Sequence, residues 1–241
     1  SIAITDISYG QGYPPKFPVV NFDKMKAYPL YGVIQKASQG NYEDPSFKYN
    51  WVACRPVLPR SSYHYYDNNY DPIVQARTYW QVIEDDPAGM MWLDLEDRDA
   101  GDYYHWDDWY QYLEYLQYYS DKTVDDIGIY IGHYYWREMV AREHMTQAEQ
   151  NYFAQYKRWY PWYVSDPLHP NFANIPNTPP WKDNDVLAVQ TGTPAIGLAA
   201  GAWSKDLDYN LVNGVNSFER IFKVPFNQGQ STLNINIRRL S

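Results

Sequence analysis

The sequence predicts an α/β fold, and within that class a single-domain (β/α) barrel that is TIM-like but irregular. Short apolar, β-branched or aromatic runs alternate along the chain with longer amphipathic segments. This alternation is typical of right-handed βαβ units and a mostly parallel sheet. About seven or eight such strands in roughly 215 residues suit a closed barrel better than an open doubly wound sheet.

The first half of the chain contains strands that are each followed by a helical segment. Two of the predicted helices begin with an Asp-Pro pair, at Asp44 and Asp71, where the acid is an N-cap and the proline takes the first helical position. The predicted strands are 2–5, 31–38, 61–66 and 89–96, and the predicted helices are 21–28, 44–55 and 71–85.

The second half continues the pattern with a helix over 104–121. Its apolar residues recur at spacings of three and four, which gives one buried stripe. Further strands are predicted at 127–132, 159–166 and 185–192, with a helix at 146–158, a rim loop at 167–185 and a last short segment that ends at Asp208. We therefore assign residues 1–214 to a catalytic barrel and residues 215–241 to a C-terminal extension, either an added strand ("TLNINIRRL") or a linker.

Composition excludes several classes of function. The net charge of −9 argues against nucleic-acid binding, which requires clustered Lys and Arg. No apolar run approaches the ~18–20 residues of a membrane span, so we expect no membrane insertion. The single cysteine, Cys54, cannot form an internal disulfide, and the scattered histidines lack metal-binding spacing. No glycine-rich nucleotide-binding motif is present.

Aromatic residues make up 18% of the chain, with 26 Tyr and 10 Trp. Rings of this kind pack in cores, but they also stack on the apolar faces of sugars and donate hydrogen bonds from their OH and NH groups. Composition therefore favours carbohydrate binding without establishing it.

Acidic residues stand at the ends of several predicted strands. Asp94 and Glu96 end the apolar run "MMWLDLE", and their spacing of two puts both on one face of the strand. Asp6 closes the first strand and Asp208 follows the last, so all four acids are predicted to meet at the mouth of the barrel. Strand-end acids can also be simply solvated or cap the next helix.

The predicted crowding of these acids suits acid catalysis. At an effective dielectric constant near 20, two charges ~6 Å apart repel by roughly 2.8 kcal/mol, which disfavours ionising both carboxyls. A protonated carboxyl beside an ionised one is the arrangement that cleaves glycosidic bonds.

Several segments together resemble glycoside hydrolase family 25, the N-acetylmuramidases called Chalaropsis-type lysozymes. The resemblance covers residues 3–214. It is carried, in this order along the chain, by "ITDIS", "VIQKASQGNYEDPSFKYN", "SYHYY", "WLDLE", "IGIYIGHYYW", "PWYVSD", "LAVQTG" and "DYNLVNG". One departure is Tyr9-Gly10, where many members have an aromatic or His-Trp pair.

The resemblance implies a lysozyme that hydrolyses the β-1,4 bond from N-acetylmuramic acid to N-acetylglucosamine in peptidoglycan. It implies Glu96 as the general acid, with Asp94, Asp6 and Asp208 as electrostatic or substrate-orienting partners. The residues expected to line the groove are Lys36, Tyr63, Tyr65, Tyr130, Trp162 and Gln190, whereas His64 is either a sugar contact or a structural histidine. No cofactor or metal is implied, and we expect a monomer that acts outside the cytoplasm, secreted or delivered by a phage.

Two other functions remain open at the level of sequence. The chain could be a catalytically silent barrel that binds peptidoglycan or chitin, although a binder has no need of all four acids. It could also be a glycosidase for another N-acetylated glycan, which differs in substrate rather than in chemistry.

Overall fold

A computed structural model of the chain describes residues 2–97, 105–170 and 179–227. Its strands are Ile2–Ile7 (β1), Val33–Gln39 (β2), Tyr42–Glu43 (β3), Arg60–Tyr65 (β4), Met91–Leu95 (β5), Ile127–Ile131 (β6), Lys157–Pro161 (β7), Val186–Gly192 (β8) and Asp208–Val212 (β9). They form one sheet in the order β1-β9-β8-β7-β6-β5-β4-β2-β3, and an additional β1–β2 pairing closes it. The predicted barrel is confirmed, with β3 as a short hairpin strand outside the ring.

Seven α-helices accompany these strands in the described residues. They are Phe22–Ala27 (α1), Phe47–Cys54 (α2), Pro72–Ile83 (α3), Trp106–Ser120 (α4), His133–Arg142 (α5), Gln147–Phe153 (α6) and Gly214–Phe222 (α7). Asp71 caps α3 as predicted, because its side chain accepts a hydrogen bond from Val74 N. The Asp44 cap was wrong: Ser46 is the N-cap of α2, and Asp44 accepts hydrogen bonds from Ser46 instead.

The second half of the chain departs from the prediction in two places. Helix α5 was not predicted, and α6 is shorter than the predicted 146–158 because β7 already begins at Lys157. Of the predicted rim loop, residues 171–178 lie outside the described residues, and a single 3-10 turn, Asp183–Asp185, precedes β8.

The strict alternation of strand and helix along the chain does not extend to the last two strands. Turns rather than a helix connect β8 to β9, and β9 runs antiparallel to both of its neighbours, β1 and β8. The barrel is therefore mixed, with seven parallel wall strands and one reversed strand.

The interior of the barrel is filled by large apolar side chains below the mouth. Trp92 is fully buried there and packs edge-on against Trp159 at 5.9 Å between ring centroids. Its ring occupies the space beside Gly128, where a Cβ atom would lie only 2.3 Å from the indole. Glycine at position 128 thus lets a tryptophan fill the narrow barrel, as close packing requires.

Helix α7 covers the end of the barrel opposite the mouth. Its residues Phe218, Ile221 and Phe222 belong to the same buried cluster as Trp92 and Trp159. The sequence did not predict this helix in the first part of the extension, and "TLNINIRRL" lies outside the described residues. The division of the chain at residue 214 stays a prediction.

Candidate active site

The acidic residues meet at the carboxyl end of the parallel strands. Asp6 lies near the end of β1 and is paired in register with Asp208 across the β1–β9 ladder. The sequence analysis predicted that Asp208 follows the last strand. This prediction was wrong, because Asp208 is the first residue of β9. Because β9 is antiparallel, its first residue lies at the same end of the barrel as the last residues of the other strands.

Side chains alternate between the two faces of β5, as predicted. Trp92 faces the barrel interior, whereas Leu93 and Leu95 belong to a separate cluster between the sheet and the surrounding helices. Asp94 and Glu96 therefore share the inward face, and Glu96 lies one residue beyond the strand. Asp94 is buried, and its Oδ1 atom has no hydrogen-bond partner among the described residues.

Two side-chain amides converge on Asp6. Asn210 Nδ2 donates to Asp6 Oδ1 at 2.8 Å, and Gln190 Nε2 donates to the same oxygen at 3.2 Å. All three side chains are buried. Gln190 was predicted to line the groove; Asn210 was missed, although it stands two residues after Asp208 on the same face of β9.

Lys36 is the cation of the site. Its ammonium group lies 4.6 Å from the centroid of the Tyr65 ring and donates to Gln39 Oε1 at 2.6 Å. Burial lowers the pKa of Lys36, while the negative charge of Asp94 acts in the opposite direction.

Aromatic side chains form the walls around the acids. Tyr63 and Tyr130 are buried against Trp159, at 6.1 and 4.6 Å between ring centroids. Trp162 follows β7 and is half-buried, and its backbone N–H donates to the carbonyl of Gln190 at 2.8 Å. Tyr163, which the sequence reasoning missed, is 63% exposed and donates from its hydroxyl to Gln190 Oε1 at 3.0 Å.

His64 is a structural histidine. It is fully buried on the outer side of β4, where its ring nitrogens lie 2.8 Å from Ser38 Oγ and 3.1 Å from Gln75 Oε1. Burial lowers its pKa to about 3, so the ring is neutral at ordinary pH. Of the two roles open at the sequence level, a sugar contact is excluded by this position.

Proton affinity is raised at all four acids. Burial is the largest cause in each, and it raises the pKa values of Asp6 and Asp94 well above the ordinary range. The pKa of Asp208 rises to about 6. Glu96 reaches solvent, but partial loss of hydration and the charge of Asp208 still raise its pKa, against the opposing effect of Lys36. Since neighbouring carboxyls titrate jointly, these raised pKa values belong to the group of acids rather than to single residues.

Asp97 does not belong to the group of four acids at the mouth. Its carboxylate accepts a hydrogen bond from Asn68 N at 3.1 Å, and its carbonyl accepts one from the Tyr135 hydroxyl at 2.8 Å. It therefore connects loops outside the mouth. Within the described ranges, no group of three or more His, Cys, Asp or Glu side chains is arranged to hold a metal ion.

A closed α/β barrel with a cluster of carboxyls of raised pKa at its mouth is an arrangement suited to glycoside hydrolysis. The sequence model for "Glycosyl hydrolases family 25" matches residues 6–170, which is more than half of the chain. The chain belongs to this family, as the sequence motifs predicted.

Solved structures support the same fold. A bacterial lysozyme from Streptomyces coelicolor matches with a TM-score of 0.66 at 20% identity, over 92% of this chain and 97% of its own. A muramidase from Acremonium alcalophilum gives 0.65 at 18%, over 91% and 97%. The catalytic domain of endolysin ply40, from a bacteriophage of Listeria monocytogenes, gives 0.62 at 16%, over 91% and 96%. Among curated protein sequences there is no match.

Proposed function

We propose that this protein is a lysozyme that hydrolyses the β-1,4 bond from N-acetylmuramic acid to N-acetylglucosamine in peptidoglycan. Membership of the glycosyl hydrolase family supports the reaction class, and the lysozyme and muramidase among the similar structures support the substrate. The observation that carries the assignment of roles is the graded exposure of the acids. Glu96 is exposed, Asp208 is half-buried, and Asp6 and Asp94 are buried.

Glu96 acts as the general acid. A proton donor must touch the glycosidic oxygen, and among the four acids Glu96 is the one that is exposed to solvent. Partial burial and the charge of Asp208 raise its pKa, which favours the protonated form that a general acid needs. Proton transfer from Glu96 to the leaving oxygen accompanies cleavage of the bond to C1, and the bond's electron pair stays with that oxygen.

Asp94 stabilises the positive charge that develops on the sugar, or orients its N-acetyl group. Its buried Oδ1 has no hydrogen-bond partner in the described part of the chain. A buried acceptor is costly to leave unpaired, which supports a substrate amide as its partner once the sugar is bound. The acetamido oxygen of the substrate then attacks C1 in a retaining route, and water later opens that intermediate with Glu96 as the base.

The groove beyond the acids binds the glycan strand. Lys36, Tyr63, Tyr65, Tyr130, Trp162 and Gln190 supply a cation, apolar ring faces and hydrogen-bonding groups around the acids. Aromatic faces bind the apolar faces of pyranose rings, and their polar atoms reach the hydroxyl groups.

The site of action is the cell wall, reached by secretion or by phage delivery, and the protein acts as a monomer. The endolysin among the similar structures supports action on a wall. None of the helices in the described ranges is both long enough and apolar enough to span a bilayer.

Mass spectrometry of digested peptidoglycan tests this function. Purified sacculi are incubated with the protein, and the released fragments are reduced with borodeuteride to label their reducing ends. The proposal predicts label on muramic acid. Label on glucosamine would indicate a glucosaminidase, and an intact glycan that retains the protein would indicate a barrel that only binds; either result contradicts the proposal.

A further inference from the structure

We propose that Trp159 and Asn210 are positioning residues that, together with Gln190, hold the carboxyl of Asp6 in one orientation toward Asp208. This inference deepens the proposed lysozyme function and rests on it for the activity measurement alone. Neither Trp159 nor Asn210 was a candidate at the level of sequence.

The amide of Asn210 is fixed by the indole below it. Trp159 Nε1 donates to Asn210 Oδ1 at 2.7 Å, which leaves Asn210 Nδ2 to donate to Asp6 Oδ1 at 2.8 Å. If the amide flipped, its NH₂ group would face the indole N–H and its oxygen would face the carboxyl, so both hydrogen bonds would be lost. The indole therefore determines that the NH₂ end of the Asn210 amide faces Asp6.

The amide of Gln190 is fixed in the same way from the other side. Its Oε1 accepts hydrogen bonds from the hydroxyls of Tyr130 at 2.6 Å and Tyr163 at 3.0 Å, and its Nε2 donates to Asp6 Oδ1 at 3.2 Å. Two amides whose orientations are set independently thus donate to one oxygen.

The result is a carboxyl that cannot rotate freely. Rotation of Asp6 would break two buried hydrogen bonds, each costly to lose because the donors would be left unpaired. With Oδ1 held by the amides, the carboxyl is fixed relative to Asp208, which is the register partner of Asp6 across the ladder. Both amide bonds also lower the pKa of Asp6, against burial and the charge of Asp208.

A matched pair of tryptophan variants tests the proposal. Trp159 and Trp181 are both 2% exposed, and each indole donates one hydrogen bond, from Trp181 to the carbonyl of Tyr156 at 3.0 Å. Trp159→Phe and Trp181→Phe therefore remove the same group at equal burial, but Trp181 lies in the outer cluster, away from Asp6.

The measurement is the titration of the Asp6 carboxyl by ¹³C NMR in the full chain, assigned with Asp6→Asn. We expect a higher midpoint in Trp159→Phe and a larger rise in Asn210→Leu, together with a decrease in kcat of about tenfold and an unchanged KM. Trp181→Phe should leave the midpoint and kcat at the wild-type values. Equal shifts in the two tryptophan variants would overturn the proposal.

A second variant covers the case in which the tryptophan or asparagine variants fail to fold. Tyr130→Phe combined with Tyr163→Phe keeps both rings and removes the two hydroxyls that orient Gln190. A raised Asp6 midpoint supports the proposal, and a wild-type midpoint overturns it. If the wild-type chain releases no reducing ends while Asp6 responds as expected, the lysozyme function fails and the positioning stands.

Discussion

Asp6 and Asp208 face each other across two antiparallel strands, whereas Asp94 and Glu96 stand two residues apart at the end of β5. The first pair is tied to the barrel wall, since two amides hold Asp6. In the second pair, Asp94 Oδ1 has no partner among the described residues, and Glu96 is exposed.

The two pairs therefore have different roles: the first is a fixed part of the site, and the second contains the groups that react. A carboxyl that is held by hydrogen bonds within the protein sets the charge and shape of the site, and a carboxyl without such bonds can bond to a substrate. We therefore expect changes to Asp94 and Glu96 to affect catalysis most, and changes around Asp6 and Asp208 to affect titration and stability, with a smaller effect on catalysis.

The largest expected effect is that of Glu96→Gln. Glutamine keeps the shape of the side chain but cannot deliver a proton, so we expect kcat on peptidoglycan to fall by about 10²–10⁴-fold with the circular dichroism spectrum unchanged. Asp97→Asn, one residue further on, is the control and should retain activity. Wild-type clearing of a cell-wall suspension by Glu96→Gln would remove Glu96 from the mechanism.

The next effect is expected at the groove wall. Trp162→Ala should raise KM by about tenfold with little change in kcat, because the ring binds substrate and transition state alike. Trp80→Ala removes another half-buried ring, from α3 on the outside of the barrel, and should leave KM unchanged. Equal effects of the two changes would argue against a sugar contact at Trp162.

A smaller, pH-dependent effect is expected from Lys36→Met. The positive charge of Lys36 lowers the pKa values of Asp94 and Glu96, so its removal should raise both. The acidic limb of the pH–kcat profile should then move to higher pH, because Asp94 must lose its proton to act as an anion. Lys36→Arg keeps the charge and should keep the limb in place; a limb that moves equally in both variants would contradict this assignment.

The smallest effect is a gain in stability from Asp208→Asn. Since folding raises the pKa of Asp208 from 3.8 to about 6, the folded state holds its proton more tightly, and the free energy of unfolding decreases as pH rises across that window. At pH 7 the variant should melt about 2–4 °C higher, roughly 1 kcal/mol for a chain of this size. The gain should be much smaller at pH 4, close to the unfolded pKa, and should vanish below it.

Calorimetry at the two pH values measures this change in melting temperature. The variant Asp85→Asn, at an exposed position, is the control. An equal gain at pH 4 and pH 7 would show that ionisation of Asp208 is not its cause.

Local patterns in the sequence predicted the positions of Asp94 and Glu96 better than the arrangement of Asp6 and Asp208. A run of apolar residues with Asp94 and Glu96 two apart specifies a strand and its inward face, because side chains alternate along any strand. By contrast, nothing local in "DYNLV" states whether β9 runs parallel or antiparallel. That direction depends on pairing with β1, more than two hundred residues away along the chain.

The sequence analysis missed the amide network and helix α5. Asn210 could have been singled out by its spacing of two from Asp208, but its partner Trp159 comes from a different strand. In α5, Tyr135, Trp136 and Met139 form the buried face at helical spacing, but the helix follows β6 almost directly and lies in a segment rich in charged and aromatic residues. Tertiary packing, rather than local propensity, stabilises such a helix.

The central claim is that the crowded mouth raises the pKa of Glu96, and the titration of its carboxyl by ¹³C NMR tests it most directly. The wild-type midpoint should lie above the ordinary value of 4.5, because partial burial and the charge of Asp208 both oppose ionisation. In Asp208→Asn the midpoint should fall toward that value. A Glu96 that titrates at 4.5 in the wild type, with no response to Asp208→Asn, would contradict the account.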